Sequence, residues 1–183
     1  MNKNALETDL IKKCRAGDTG AFGELINFYR KSLFTYLLRM CRDKMTAEDL
    51  FQDTLLKIWK AMEHYNEQQK FSSWIFTIAH NVSIDTFRTK KLRHRIAYLN
   101  EDSEVVSEVT PHTEMVALES KVTFEKAVEN LPDEQRRVFL LRQHSGMTFK
   151  EIAATMNQPI NTVLSHMHYA VKKLRKMLKN NDE

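Results

Sequence analysis

Apolar residues recur every three or four positions along most of this chain, which is the spacing of helices with one buried face. The predicted helices cover residues 5–15, 22–41, 71–88, 115–130 and 131–145, and another begins at Thr46. A helical pair follows over 148–179. The whole 183-residue chain holds only four glycines and three prolines. The pattern therefore predicts an all-α protein.

The helical pair at 148–179 shows the features of a helix-turn-helix. Thr148 and Glu151 have the spacing of a capping box, in which each caps the other's backbone amide. Asn157 suits a left-handed turn residue, and Pro159 suits the first turn of a second helix. Small Ala153, the turn residue Asn157 and apolar Val163 have the spacing of a DNA-binding helix-turn-helix, although an ordinary helical hairpin is the alternative.

The charge is unevenly distributed, although the net charge is only +4. Residues 1–96 carry a net +6, residues 97–113 a net −4, and residues 114–183 a net +2. The middle segment also loses its helical period and contains Glu101, Asp102, Glu104 and Glu108. We therefore predict two small helical domains, 1–96 and 114–183, joined by an acidic flexible linker. The basic blocks permit nucleic-acid contact without requiring it.

Enzyme chemistry has little support in the sequence. Cys14 and Cys41 lack ligand spacing, and His166 and His168 diverge on one helix, so neither metal nor cofactor is expected. No Gly-rich phosphate loop, nucleophile elbow or catalytic carboxylate pair occurs, so no catalytic residue is assigned. No secretory signal or transmembrane-length apolar run is visible, and a cytoplasmic location is expected.

The helix that begins at Thr46 has a second face made of Asp49, Gln52, Asp53 and Leu56. Such a face could dock a basic helix of a partner protein, or it could simply be solvated.

The helix over 71–88 carries a polar and aromatic stripe of Trp74, Thr77, Asn81, Asp85 and Arg88. Such a stripe could stack on and hydrogen-bond a single-stranded base. The alternative is a half-buried polar network in which Asp85 pairs with Arg88.

Five cations follow without an intervening acid. They are Arg88, Lys90, Lys91, Arg93 and Arg95. This run predicts either a track for DNA phosphates or a solvated helix end.

Four segments then occur in the order found in extracytoplasmic-function (ECF) sigma factors, the small two-domain class of bacterial RNA polymerase sigma subunits. They are DLFQDTLLKIWK (49–60), FSSWIFTIAHNVSIDTFR (71–88), LPDEQRRVFLL (131–141) and EIAATMNQPINTVLSH (151–166). The chain resembles this family from Leu6 to Leu178. The resemblance implies sigma region 2 in the first domain, region 4 in the second, and a non-enzymatic role in transcription initiation.

The resemblance also implies roles for residues. The face of Asp49, Gln52 and Asp53, to which Leu56 belongs, would dock the clamp helices of the largest polymerase subunit. Residues assigned to the −10 element are Asn66, Lys70, Trp74, Asn81, Arg88, Lys90, Lys91 and Arg93. Those assigned to the −35 element are Pro159, Asn161, Thr162, Ser165, His166, Tyr169, Lys172 and Lys173. The family often has Lys or Arg where this chain has Leu164, His166 and Tyr169, which predicts weak −35 binding.

The expected partners are core RNA polymerase (clamp helices and flap), promoter DNA and an anti-sigma factor, with no membrane insertion and a monomeric free state. A stand-alone helix-turn-helix regulator is the alternative function. It would need a dimer surface or ligand pocket, and no clear heptad seam is present. A helical adaptor that binds only proteins is a further alternative.

Overall fold

The computed structural model describes residues 3–98 and 119–179, with side-chain burial for 5–90 and 124–179. Within these ranges the regular structure is helical, which confirms the predicted all-α class. The helices are α1 (Lys3–Arg15), α2 (Thr19–Asn27), α3 (Arg30–Cys41), α4 (Lys44–Ala61), α5 (Phe71–Tyr98), α6 (Glu119–Glu129), α7 (Asp133–Ser145), α8 (Phe149–Met156) and α9 (Ile160–Lys179).

The first domain is a bundle in which α3 packs against α4 and α5, while α1 packs against α2. Its core contains large side chains with almost no exposed surface, including Tyr36, Phe71, Phe76, Leu25 and Leu33. Tyr36 and Phe76 meet edge to face at 5.4 Å between ring centroids. This aromatic packing fixes α5 against α3.

The predicted single helix over 22–41 is wrong, because the chain bends between α2 and α3. The amides of Phe28 and Tyr29 bond carbonyls three residues back, those of Leu25 and Ile26, which tightens the end of α2. Tyr29 then leaves the helix with φ −114° and ψ −13°. Its hydroxyl donates to Glu7 of α1. The apolar spacing continues through the bend, so the spacing alone did not indicate it.

The predicted start at Thr46 is also wrong. Arg42 adopts a left-handed conformation with φ 62°, and Asp43 then caps α4 by accepting a hydrogen bond from the Thr46 amide at 2.7 Å. Hydrogen bonds from Thr46 lower the pKa of Asp43 below its ordinary value. An aspartate cap satisfies a free amide at the helix start, so α4 begins at Lys44, the residue after Asp43 and two residues before Thr46.

Helix α5 is longer than predicted and continues from Arg88 to Tyr98. The cationic run therefore extends the helix rather than following it. The acidic linker was predicted over 97–113, but residues 97 and 98 belong to α5. The rest of that linker lies outside the described residues, as do the first four positions of the helix predicted over 115–130.

The second domain contains the helix-turn-helix, formed by α8 and α9. Thr148 caps α8 and accepts from the Glu151 amide at 3.2 Å, while the Glu151 carboxylate accepts from the Thr148 amide at 2.6 Å. The capping box is therefore confirmed. Asn157 is left-handed with φ 51°, as predicted. Ile152 and Val163 are fully buried between the helices and α7.

The two domains pack against one another. Helix α7 lies against α3 and α5, and α8 lies against α5. Separately, none of the described helices is both long and apolar enough to cross a membrane.

Candidate polymerase and nucleic-acid interfaces

The predicted docking face on α4 is exposed. Asp49, Gln52, Asp53 and Leu56 all lie on the solvent side, and Leu56 keeps 58% of its surface exposed. The opposite side of the helix is buried through Leu50, Thr54 and Ile58. Helical spacing therefore places two carboxylates, an amide and an unpacked leucine on one surface.

A groove of about 500 Å³ lies beside this face, lined by Arg30, Phe34, Glu48, Phe51, Gln52 and Leu55. Phe34 and Phe51 meet edge to face at its apolar floor, with ring centroids 5.8 Å apart. Gln52 belongs both to the groove and to the polar face. The surface therefore combines an apolar recess with neighbouring acidic groups.

The loop at 66–70 is exposed but internally ordered. The Asn66 side-chain oxygen accepts from the Gln68 amide at 3.0 Å, and the Tyr65 hydroxyl donates to the Gln69 carbonyl. Arg15 of α1 also contacts Glu67 at 3.2 Å. These contacts hold the loop in one shape, so Lys70 projects from a defined position at the start of α5.

The structure divides the predicted stripe on α5. Trp74 is half-buried against Tyr65, with ring centroids 4.8 Å apart, and Thr77 donates to the Ser73 carbonyl. Asn81 and Asp85 are exposed.

The suggested pairing of Asp85 with Arg88 is wrong, because the carboxylate of Asp85 instead lies 4.0 Å from Lys57 of α4. Arg88 is exposed on α5.

The cationic run is only partly described. Lys90 is exposed, and its ammonium donates to the Thr46 hydroxyl at the start of α4, at 3.0 Å. Lys91 and Arg93 lie on α5, but the surroundings of their side chains fall outside the described residues. The described part of the run therefore places Lys90 beside the beginning of α4, with Arg88 exposed two residues earlier on α5.

Helix α9 has a clear solvent face in its first half. Pro159 precedes the helix and is exposed, as are Asn161, Ser165 and Tyr169. Farther along, Lys172 is also exposed. Val163, Ala170 and Leu174 face the domain core. These positions fit the outward face of a recognition helix.

Three residues predicted for this interface are partly covered: Thr162, His166 and Lys173 are half-buried. Conversely, His168 was not predicted as a DNA contact, yet its side chain is exposed and its ring centroid lies 5.6 Å from that of Tyr169. Its spacing from Ser165 and Lys172, three and four residues away, could have placed it on the same face.

Two hydrogen bonds join α5 to the helix-turn-helix. The Ser73 hydroxyl donates to the Glu151 carboxylate at 3.0 Å, and the Thr77 and Thr155 hydroxyls lie 3.0 Å apart. Desolvation raises the pKa of Glu151, but hydrogen bonds from Thr148 and Ser73 outweigh it, and the pKa lies below its ordinary value. The stripe predicted to meet DNA is therefore partly covered by α8.

A second contact joins α3 to the other domain. Arg39 lies 2.8 Å from Glu125 of α6, with the Arg39 side chain 12% exposed. Arg42 donates to the Glu129 carbonyl. Beside these contacts is a cleft of about 480 Å³ between the domains.

Among the residues that the structure describes, no group of three or more His, Cys, Asp or Glu side chains could hold a metal ion. Cys14 is buried and Cys41 is half-buried, and each is a free thiol.

Comparison with protein families identifies both domains. The model of sigma-70 region 2 matches residues 25–93, and the model of sigma-70 region 4 matches residues 121–174. The chain belongs to the ECF class of RNA polymerase sigma factors. Members of this class are non-enzymatic subunits of RNA polymerase.

Curated relatives align over nearly the whole chain. The ECF RNA polymerase sigma factor SigW of Bacillus subtilis is 29% identical over 181 residues, covering 93% of this chain and 95% of that protein. The ECF sigma factor SigL of Mycobacterium tuberculosis is 29% identical over 166 residues, covering 90% and 93%. The RNA polymerase sigma-H factor of Pseudomonas aeruginosa is 23% identical over 180 residues, covering 94% and 93%.

Two solved structures have a similar fold. The sigma factor RpoE in complex with the anti-sigma factor NepR, from Bartonella quintana, has a TM-score of 0.67 at 26% identity, covering 86% of this chain and 96% of that one. CnrH in complex with the cytosolic domain of CnrY has a TM-score of 0.65 at 20% identity, covering 96% and 98%. The second likeness concerns the fold alone.

Proposed function

We propose that this sigma factor directs core RNA polymerase to specific promoters and assists promoter opening, with residues 1–96 acting as region 2 and residues 114–183 as region 4. The observation that carries the proposal is the presence of both sigma regions in one chain, each with an exposed polar face. The linker assigned to 97–113 would connect them. The protein would act in the cytoplasm, where bacterial transcription takes place.

The α4 face is the proposed contact with the polymerase clamp helices. Asp49 and Asp53 supply negative charge, Gln52 supplies hydrogen bonds, and Leu56 supplies apolar surface to bury. The adjoining groove can receive an apolar side chain from the same partner. Charge complementarity of this kind favours correct docking and fast association.

Region 2 is proposed to bind the −10 element. The exposed loop at 66–70 and Asn81 would contact bases, while Arg88, Lys90, Lys91 and Arg93 would contact phosphates. Trp74 is half-buried, so its proposed part is to support the loop through Tyr65 while presenting a ring edge to an unpaired base.

Region 4 is proposed to place α9 in the major groove of the −35 element. Asn161, Ser165 and Tyr169 would face the groove, with Thr162 and His166 at its edge. Pro159 begins the turn where free backbone amides favour a phosphate. Lys172 and Lys173 would contact the DNA backbone farther along the helix.

Promoter binding requires the domains to separate from the packing described above. The −10 and −35 elements lie about 25 base pairs apart, or about 85 Å at about 3.4 Å per base pair. In the interdomain packing of this structure, which we call the closed form, the Thr77 hydroxyl of region 2 and the Thr155 hydroxyl of region 4 are only 3.0 Å apart. We therefore propose that the closed form is the free protein, and that core polymerase binds an open form.

An anti-sigma factor is a further proposed partner. Support comes from the similar structure of RpoE, which was solved in complex with the anti-sigma factor NepR. We propose that the free chain is otherwise monomeric, and that the polymerase flap contacts region 4.

The test is to mix the purified chain with core polymerase and measure two quantities, co-elution with core and binding to promoter duplex. We expect stable co-elution, with selective duplex binding only when core is present. Tight, selective duplex binding by the chain alone would favour a stand-alone regulator. A chain that binds neither core polymerase nor promoter duplex would contradict the proposal.

A further inference from the structure

The recognition helix exposes more apolar surface than its role as a polar DNA contact requires. Ile160 is 44% exposed, Leu164 is 42% exposed and Tyr169 is 55% exposed. Among the described residues, the other exposed large hydrophobic side chains are Phe28, at 37%, Met45 and Leu56. Half of this group therefore lies in the first ten residues of α9.

Leu164 points away from the domain core. Its neighbour Val163 is fully buried, whereas Leu164 follows Asn161 by three residues and precedes His168 by four. Ile160 lies one turn earlier, on the same side of the helix. The two aliphatic side chains therefore form one edge of the face that carries Asn161 and Ser165.

The charge pattern indicates what this edge can recognise. Between Lys150 and Lys172 the chain contains no arginine or lysine. The first three turns of α9 consequently lack a side chain that can make the bidentate contact to guanine. The apolar group that base pairs present in the major groove is the 5-methyl group of thymine.

We propose that Leu164, with Ile160 beside it, contacts thymine 5-methyl groups in the −35 element and makes this sigma factor select thymine there. The proposal rests on the proposed function, because it needs α9 to lie in the major groove. Specificity comes from van der Waals contact and burial of a methyl group, and Asn161 and Ser165 add hydrogen bonds.

The test uses the complete holoenzyme on a promoter located by mapping the transcripts that it makes. Each thymine of the −35 element, on either strand, is replaced in turn by deoxyuridine, which lacks only the methyl group. At one or more positions we expect open-complex formation to become about fourfold weaker, since burial of one methyl group contributes about that factor.

The Leu164→Ala variant connects this effect to the side chain. Leu164 is exposed and alanine favours helices, so the fold should be retained. The variant should bind the thymine template about as weakly as the wild type binds the uracil template, and should show no further loss on uracil. A Lys176→Ala variant, changed at an exposed cation on the same helix, should keep the full uracil response.

Three outcomes would each overturn the inference while promoter-selective transcription persists. The uracil substitutions could have no effect on open-complex formation, or the −35 element could contain no thymine. The third outcome is a Leu164→Ala variant that responds to uracil as the wild type does. Loss of core binding in Leu164→Ala would also overturn it, by assigning this edge to a protein contact. Absence of promoter-selective transcription in the wild type would instead contradict the proposed function on which the inference rests.

Discussion

The hydroxyl of Thr77 on α5 lies 3.0 Å from the hydroxyl of Thr155 on α8, so the two sigma regions meet at the helix proposed to bind the −10 element. One residue pair nearby, Ser73 and Glu151, reinforces this contact at 3.0 Å. The α4 face and the solvent face of α9 remain exposed in the same packing. In the closed form part of the proposed −10 surface on α5 is therefore covered, and it would be uncovered in the open form that we propose core polymerase binds.

Reversing the charge of Arg39 should open this packing. Arg39 and Glu125 now form an ion pair with 2.8 Å between the charged groups. Arg39→Glu replaces this pair with two facing carboxylates and should destabilise the closed packing by about 1–2 kcal/mol. The radius of gyration measured by small-angle X-ray scattering should rise.

The matched controls use the same helices. Adding Glu125→Arg to Arg39→Glu restores an unlike pair and should return the radius of gyration toward the wild-type value. Lys31→Glu changes an exposed cation on α3 and should have no effect. Equal expansion in Arg39→Glu and Lys31→Glu would show that net charge, and not this contact, is responsible.

Replacing Asp49 and Asp53 with lysine should abolish core binding. If these carboxylates meet cations on the clamp helices, the double change creates like-charge clashes that cost several kcal/mol. Co-purification with core is the measurement, and circular dichroism should show an intact helical fold.

A comparable double change, Asp9→Lys with Glu24→Lys, alters exposed carboxylates on α1 and α2 and should leave core binding intact. Retention of core by the Asp49 and Asp53 variant would remove these residues from the interface.

Removing Lys90 and Lys91 should weaken open-complex formation at all promoters alike. Each lost phosphate contact lowers the slope of log affinity against log salt by about one. Lys12→Ala with Lys31→Ala, at exposed lysines elsewhere in the first domain, should keep the wild-type slope. An unchanged slope in the Lys90 and Lys91 variant would make this run a solvated helix end.

Acid should destabilise the first domain through His80. Desolvation and the charge of Arg137 lower the pKa of this histidine from 6.5 to about 4, and its ring nitrogen lies 3.0 Å from the Tyr36 hydroxyl. Between pH 6.5 and about 4, His80 therefore binds a proton in the unfolded chain but not in the folded chain. Stability is therefore retained above pH 6.5 and falls by up to about 3 kcal/mol as the pH drops to 4.

Urea unfolding at several pH values measures this dependence. His80→Gln should reduce the fall in stability between pH 6.5 and 4, whereas His64→Gln, at an exposed site, should not change it. Burial also lowers the pKa of His144 to about 4, so some acid dependence should remain in the His80 variant. Identical pH profiles for wild type and His80→Gln would contradict the assignment.

Features that depend on local chemistry were predictable from the sequence. Thr148 and Glu151 form the predicted capping box, and Asn157 takes the predicted left-handed conformation, because each preference depends on neighbours within a few residues. The two sigma regions were likewise found from short motifs.

Features that depend on contacts between distant residues were not predictable from the sequence. The bend at Tyr29 accompanies a bond to Glu7, and the pairing of Asp85 with Lys57 depends on how α4 packs on α5. Thr77 was assigned to a DNA-facing stripe, but α8 covers it in this packing. Helical spacing identifies a face of a helix without indicating which other helix covers it.

The most direct test of the central claim is to transcribe a fragmented bacterial genome with core polymerase, with and without this chain, and to sequence the 5′ ends of the transcripts. We predict that the chain concentrates transcription starts at a limited set of sites that share two upstream elements, and that shifting one element by half a helical turn relative to the other abolishes the start. Start sites that are unchanged when the chain is added would contradict the account.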